Sequence, residues 1–136
     1  MRSLTHVSQI RVAGVVFAAA ISVTSAAFAG ASDYTFEPVK AEVKKGNGVT
    51  LAVRLVHKPT GKPVSDAVIF SPRIDMSPEG METMTAPATP VAGTEPGTYG
   101  FKTDLVMAGG WLLTVSAKVQ GEPETVTGKI TFKAAD

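Results

Sequence analysis

The stretch VTLAVRLVH, residues 49–57, decides the fold, because apolar and polar side chains alternate along it. Leu51, Val53 and Leu55 fall on one face of an extended chain, whereas Arg54 falls on the other. A period of two residues is typical of a β-strand that buries one face. We therefore expect a half-buried strand here.

Further short runs of this kind follow one another along the chain, separated by turns rich in Gly and Pro. We find no stretch with sustained helical spacing of apolar residues. Seven short strands with regular turns predict an all-β sandwich of two antiparallel sheets. The candidate strands are Tyr34–Val39, Val49–His57, Val68–Met76, Met81–Ala86, Thr98–Leu105, Trp111–Val119 and Thr125–Phe132.

Prolines mark the less regular parts of this pattern, because proline cannot donate a backbone hydrogen bond to a neighbouring strand. Pro72 lies inside the third candidate strand, so we expect that strand to be an edge strand or to contain a bulge. Residues 85–96 contain three prolines and are expected to form an extended loop or edge segment.

The alternation also predicts which side chains form the core between the sheets. Trp111 follows a Gly-Gly pair and is expected to anchor the core, because large aromatic side chains bury the most apolar area. Arg54, Lys102 and Asp104 are expected to face water. The expected core consists of Leu51, Val53, Leu55, Ile69 or Phe70, Tyr99, Phe101, Leu113, Val115 and Ile130.

The first 29 residues have the pattern of a secretory signal peptide. Arg2 and Arg11 precede an uncharged apolar run, and Ala27-Phe28-Ala29 fits an A-x-A cleavage site. The dense apolar part is shorter than the roughly 20 residues that a membrane-spanning helix needs. We therefore expect cleavage after Ala29, a periplasmic location and no stable membrane anchor, with an uncleaved anchor as the alternative. Residues 30–136 then form a single domain.

The composition of residues 30–136 excludes several classes of function. Loss of Arg2 and Arg11 changes the formal net charge from +1 to −1, so we expect no nucleic-acid binding. The chain has no cysteine, which excludes disulfides, thiolate zinc sites and blue-copper centres with His₂Cys ligands. His57 is the one histidine that remains, and no pairing of a nucleophile with a base is recognisable. We therefore expect no enzymatic activity.

The segment DMSPEGMETM, residues 75–84, carries three of the five methionines in the chain. Its Ser77-Pro78-Glu79-Gly80 tetrapeptide fits the residue preferences of a type I turn. If this turn closes a hairpin, Met76 lies directly opposite Met81, and both side chains are on the same face. Thioether sulfur is a soft ligand that suits Cu(I). The pair is therefore the leading candidate for a metal site.

A third thioether ligand needs a further structural feature. The hairpin register puts Met84 on the opposite face, unless a bulge or an irregular segment follows Gly80. Met107, which is close to the Gly109-Gly110 turn, is the other candidate for a third ligand. Packing of the methionines in a core or at an edge is the alternative to metal binding. The remaining pairs in this register are Asp75 with Glu82, Ile74 with Thr83, and Arg73 with Met84.

Two other polar features have simple interpretations. Asp75 and Glu82 would be like charges on opposite strands, and a solvated face with Arg73 as the compensating charge is favoured over a site for a hard cation. His57 ends its strand and is expected to be a surface residue. Its alternatives are completion of a copper site and weak pH sensing.

Five short motifs give the chain a resemblance to a known family. They are residues 51–55 (LAVRL), 60–67 (TGKPVSDA), 75–84 (DMSPEGMETM), 96–99 (PGTY) and 110–113 (GWLL). With these motifs, residues 34 to about 119 resemble the YtkA-like and FixH-like exported domains. The resemblance implies an immunoglobulin-like β-sandwich outside the inner membrane. It also implies an association with copper handling, heavy-metal efflux or assembly of a copper-containing oxidase.

Two functions from different classes follow from the sequence. The first is a periplasmic protein that carries or buffers Cu(I) through Met76 and Met81, with Met84 or Met107 as the third ligand. No metal is expected to be required for folding. The alternative is a non-catalytic module that binds a protein of an envelope metal-efflux or oxidase-assembly system, with the methionines as an adaptable apolar surface.

Overall fold

The computed structural model describes residues 31–136, together with the single residue Gly14. The predicted signal peptide, residues 1–29, and its cleavage site lie outside the described residues apart from Gly14. In the described part of the chain, no helix has both the length and the apolar character needed to cross a membrane.

Residues 31–136 form ten β-strands and two short 3₁₀ turns, at Ala31–Asp33 and Ser77–Glu79. All seven predicted strands are present, and the fold has three more, which are β2, β4 and β7. The strands are β1 (Tyr34–Pro38), β2 (Glu42–Lys44), β3 (Gly46–His57), β4 (Lys62–Pro63), β5 (Val68–Met76), β6 (Met81–Ala86), β7 (Thr89–Ala92), β8 (Thr98–Leu105), β9 (Gly109–Lys118) and β10 (Val126–Ala135).

The strands of residues 31–136 form two sheets that face each other. One sheet has the order β1-β3-β8-β7, with β4 also paired to β3, and the other has the order β2-β10-β9-β5-β6. The pairs are antiparallel except that β2 runs parallel to β10. In an immunoglobulin fold, strands A, B, E and D form one sheet and C, F and G the other. The observed order matches this arrangement, with β6 and β2 added to the second sheet, so the predicted immunoglobulin-like sandwich is confirmed.

The core lies between the two sheets and is formed by inward-facing side chains of alternating residues. Trp111 is 1% exposed, which confirms it as a core anchor. The sequence leaves Ile69 and Phe70 as alternative core residues. Ile69 packs against the core, whereas Phe70 is 37% exposed, so Ile69 is the one that belongs to the core. The buried apolar residues are Leu51, Val53, Leu55, Ile74, Met76, Phe101, Leu105, Trp111, Leu113, Val115, Ala117, Val119, Val126, Ile130, Phe132 and Ala134.

A bulge in β5 changes which of its side chains face the core. Phe70 pairs with Ser116 and Arg73 with Thr114 of β9, so β5 has one residue more than its partner between these pairs. Ser71 in this bulge has a φ of 51°, which is rare for a residue other than glycine. The extra residue reverses the alternation that begins at Ile69. As a result Ile74 and Met76 face the core, as the prediction of a bulge around Pro72 allows.

One buried side-chain polar atom has no hydrogen-bond partner among the described residues. It is the hydroxyl of Thr103, a residue of β8 that is 1% exposed. A buried hydroxyl without a partner destabilises the folded state because it has lost its hydrogen bonds to water.

We predict that Thr103→Val stabilises the domain, because valine has nearly the same shape without the unpaired hydroxyl. The free energy of unfolding should rise by about 1 kcal/mol. Urea unfolding followed by circular dichroism measures this change.

The control for this prediction is Thr103→Ser, which keeps the hydroxyl and removes the methyl group. It should lower the free energy of unfolding by about 1 kcal/mol, since it leaves a small cavity. A valine variant that is less stable than the original chain would contradict the interpretation of Thr103.

Candidate methionine site

The turn between β5 and β6 places Met76 opposite Met81, as predicted. Ser77–Glu79 forms a single 3₁₀ turn, in which the Gly80 amide donates to the Ser77 carbonyl oxygen at 2.9 Å. Gly80 closes the turn with a φ of 72°, in the left-handed region that favours glycine. Met76 and Met81 follow on either side as directly paired residues.

The register beyond this pair differs from the prediction. Asp75 pairs with Thr85 and Ile74 with Ala86, so residues 82–84 form a bulge in β6. The predicted pairings of Asp75 with Glu82, Ile74 with Thr83, and Arg73 with Met84 are therefore wrong. The bulge is the irregularity after Gly80 that a third thioether would require.

Arg73 connects the two strands across this bulge. Its Nη2 donates to the Glu82 carbonyl oxygen at 3.1 Å, and its Nε donates to the Asp75 carboxylate at 3.0 Å. In a regular register the Glu82 carboxylate would face that of Asp75, which is unfavourable for two like charges. The bulge removes this opposition and leaves Arg73 paired with Asp75 alone.

The four candidate methionines differ widely in exposure. Met76 is completely buried in the core, and half-buried Met84 packs against that core. Met81 is 37% exposed and Met107 is 40% exposed. Of the four candidates, Met81 and Met107 are therefore the residues most open to an ion that arrives from solvent.

The connection that carries Met107 docks onto the turn that precedes Met81. A carboxylate oxygen of Glu79 accepts a hydrogen bond from the Gly110 amide at 2.8 Å. A Cβ atom on Gly110 would lie 2.9 Å from the Cβ of Pro78, so only glycine permits this approach. The Trp111 indole donates to the Met107 carbonyl oxygen at 3.0 Å. Contacts from the turn and from the core thus hold the Met107 connection at the same end of the sandwich as Met81.

Asp75 is a buried carboxylate that organises the start of the turn. It is 5% exposed, and its Oδ1 accepts from the Ser77 amide at 2.9 Å while Oδ2 accepts from Arg73. The hydrogen bonds from Ser77, assisted by the charge of Arg73, outweigh the effect of burial and lower the pKa of Asp75 below the ordinary value of 3.8. Asp75 is therefore ionised at neutral pH, although it is buried.

His57 lies far from the methionines. His57 is the last residue of β3, where it pairs with Tyr34 and Lys62. The first residue of the same strand, Gly46, pairs with Leu105, which is two residues before Met107, so His57 and Met107 are at opposite ends of β3. The histidine ring is 5.1 Å from that of Tyr34, and its Nδ1 is 2.8 Å from the Thr60 hydroxyl. Within residues 31–136, no group of three or more His, Asp or Glu side chains could hold a metal ion.

Two structural contacts of this site were not predicted from the sequence. The sequence pattern indicates only a turn around Glu79, whereas the hydrogen bond that its carboxylate accepts from Gly110 joins segments that are 31 residues apart. The bond from Arg73 to the Glu82 carbonyl depends on a bulge that turn counting does not include. The adjacent glycines at 109 and 110 were the one sequence signal of a close approach.

The lowered pKa of Asp75 predicts how stability depends on pH. A carboxyl group with a lower pKa in the folded state stabilises the fold fully above its unfolded pKa, near 3.8, and loses this contribution as the pH falls through the folded value. Asp75→Asn should therefore lower the free energy of unfolding by about 1–3 kcal/mol at neutral pH. The difference from the original chain should shrink in acid.

Urea unfolding at several values between about pH 3 and pH 7 measures this difference. The control is Asp66→Asn, which removes an exposed carboxylate and should have a small effect over the same range. A difference for Asp75→Asn that stays constant on acidification would contradict the assignment.

Solved structures similar to this chain include the following three. The Lin-41 filamin domain is 16% identical, with 74% of this chain and 93% of that chain covered and a TM-score of 0.43. The ZirS C-terminal domain is 10% identical, with 100% and 84% covered and a TM-score of 0.44. A conjugative transposon lipoprotein from Bacteroides eggerthii DSM 20697 is 12% identical, with 76% and 98% covered and a TM-score of 0.34. No match was found among curated proteins.

The family comparison agrees with one half of the resemblance expected from the sequence. The YtkA-like profile matches residues 28–116, which include β1 to β8, the methionine turn and most of β9. Likeness to the FixH-like domains stays a prediction. With this match over more than half of its length, the chain belongs to the YtkA-like family.

Proposed function

We propose that this chain is an exported, non-catalytic protein that carries or buffers Cu(I) through methionine thioethers. The observation that carries the proposal is the docking of two turns, which holds the exposed Met81 and Met107 at one end of the sandwich. Soft, neutral sulfur suits Cu(I) better than the harder divalent cations. Met81 and Met107 are the entry ligands in this proposal.

Met76 and Met84 have a different role in the proposed site. Met76 is directly paired with Met81 but is completely buried, so its sulfur is available only if the edge strand β6 shifts. Met84 belongs to the bulge that follows Met81, and it packs against the core. Either residue supplies the third sulfur once the ion is held by Met81 and Met107.

The chemistry of the ligands predicts how binding responds to pH. Thioethers carry no proton at any pH, so no proton is released when Cu(I) binds. We expect binding to persist in mild acid, where histidine and thiolate sites lose their metal. We also expect the fold to form without metal, since its core is built from apolar side chains.

Export supplies the cellular setting of the proposal. Residues 1–29 have the pattern of a cleaved signal peptide, which would deliver the sandwich to the periplasm. A metal carrier there would exchange Cu(I) with an envelope metal-efflux or oxidase-assembly protein. This partner follows from the resemblance described above.

A second candidate function is a metal-free module that binds such an envelope protein. The observation that favours it is the exposed apolar side chains at the end of the sandwich that carries Met81 and Met107, where Val106, the neighbour of Met107 in the chain, is 57% exposed. Methionine side chains adapt easily to a partner surface. Exposed apolar side chains alone serve this function, whereas the first function requires sulfur.

The two functions can be separated by a pair of double variants. The double variant Met81→Leu with Met107→Leu removes both sulfurs and keeps the apolar surface. The double variant Met81→Ser with Met107→Ser removes the sulfurs and the apolar surface together. Cu(I) affinity of the purified chain is measured by competition with a chromogenic chelator. The leucine variant should bind Cu(I) at least about ten-fold more weakly. Loss of a residue that only supports a metal ligand already costs about ten-fold in affinity, and this variant loses two ligands.

The two double variants also serve as controls for each other. Both exchanges are at exposed positions, so the free energy of unfolding should change little. Unchanged Cu(I) affinity in the leucine variant would contradict the metal site. A partner protein that binds the leucine variant and not the serine variant, with or without copper, would instead support the second function.

A further inference from the structure

The methionines of this domain differ in their access to oxidants as well as to metal ions. The chain has no cysteine, so methionine sulfur is its most readily oxidised group. Met81 and Met107 are 37% and 40% exposed, whereas Met76 is completely buried. Trp111, the one tryptophan, is 1% exposed and therefore protected as well.

We propose that Met81 and Met107 form an oxidation-sensitive pair. Peroxide converts both thioethers to sulfoxides, and the end of the sandwich that carries them then no longer binds Cu(I). In each reaction the sulfur attacks one oxygen of hydrogen peroxide. The O–O bond breaks, an S–O bond forms, and the other oxygen leaves as water with the proton of the transferred oxygen. The sulfur loses two electrons and the peroxide gains them.

The structure permits this reaction without loss of the fold. Both side chains are in partial contact with water, where a polar sulfoxide can keep its hydrogen bonds. The contacts that hold the two turns together are made by other groups, namely the Glu79 carboxylate, the Gly110 amide and the backbone carbonyl of Met107. Oxidation of Met76 would instead bury a polar sulfoxide in the core and destabilise the domain.

The effect on metal binding rests on the proposed function. A sulfoxide presents a hard oxygen atom and a less basic sulfur, so it is a poor ligand for Cu(I). The change is reversible, because sulfoxide reductases act on accessible methionine sulfoxides. Peroxide would thus release Cu(I) from the entry ligands while the buried sulfur of Met76 stays reduced.

The first experiment measures the order of oxidation in the metal-free chain. The purified protein is treated with hydrogen peroxide, and sulfoxide at each methionine is followed by mass spectrometry of peptides. Met81 and Met107 should react at least about ten-fold faster than Met76, with Met84 in between, since reactivity follows exposure. Trp111 fluorescence and the midpoint of thermal unfolding should be unchanged when the two exposed residues are oxidised.

Two results of this experiment would overturn the proposal. One is oxidation of Met76 at the same rate as the exposed pair, and the other is unfolding when only Met81 and Met107 have reacted. The matched control is the double variant Met81→Leu with Met107→Leu. Under the same treatment its retention on a hydrophobic column should shift much less than that of the original chain, because only the slower, half-buried Met84 remains partly accessible to peroxide.

The second experiment tests the effect on copper. Cu(I) affinity is compared between the untreated chain and the chain oxidised at Met81 and Met107, and the oxidised form should bind at least about ten-fold more weakly. Equal affinity of the two forms would overturn the switch. If the untreated chain itself binds no Cu(I), the proposed function fails and the copper switch fails with it, while the order of oxidation is still decided by the first experiment.

Discussion

Burial of alternating apolar side chains between two sheets is the constraint on which this domain depends. The chain has no cysteine, so no disulfide restrains the unfolded state. The apolar area covered by the two sheets must therefore outweigh the loss of conformational entropy. Every strand that contributes to the core must present its apolar residues in the correct phase, because a shift of one residue exposes them to water.

Strand β5 meets this requirement through an irregularity. Without the extra residue at Ser71, the alternation that starts at Ile69 would turn Ile74 and Met76 toward water and Asp75 toward the core. The backbone at Ser71 adopts a φ of 51°, which costs energy for a residue with a side chain. Burial of Ile74 and Met76 offsets this cost. The placement of Arg73 and Asp75 on the face opposite to that of Ile74 and Met76 is thus a consequence of the same bulge.

Features that depend on local geometry, such as strand alternation and a single turn, could be predicted from the sequence. Contacts between distant segments could not. The alternation around Leu51 and Val53 predicted the strands and the sandwich, since it depends on local geometry alone. Turn counting predicted the pairing of Met76 with Met81 for the same reason. The register beyond that pair was not predictable, because the residue preferences of the turn do not reveal the bulge at residues 82–84, which the bond from Arg73 to the Glu82 carbonyl spans. The contact of Glu79 with Gly110 joins two turns that only the complete fold brings together.

The pairing of Met76 and Met81 shows why proximity and availability must be judged separately. Both residues flank one turn and are directly paired, yet one sulfur belongs to the core and the other is in contact with water. A core methionine stabilises the sandwich through its packing, so moving it to a metal would weaken the fold. An exposed methionine carries no such cost. In the proposed copper site the entry ligands are therefore Met81 and Met107, which belong to the exposed part of the docked turns, and Met76 could join them only to the extent that β6 moves away from the core.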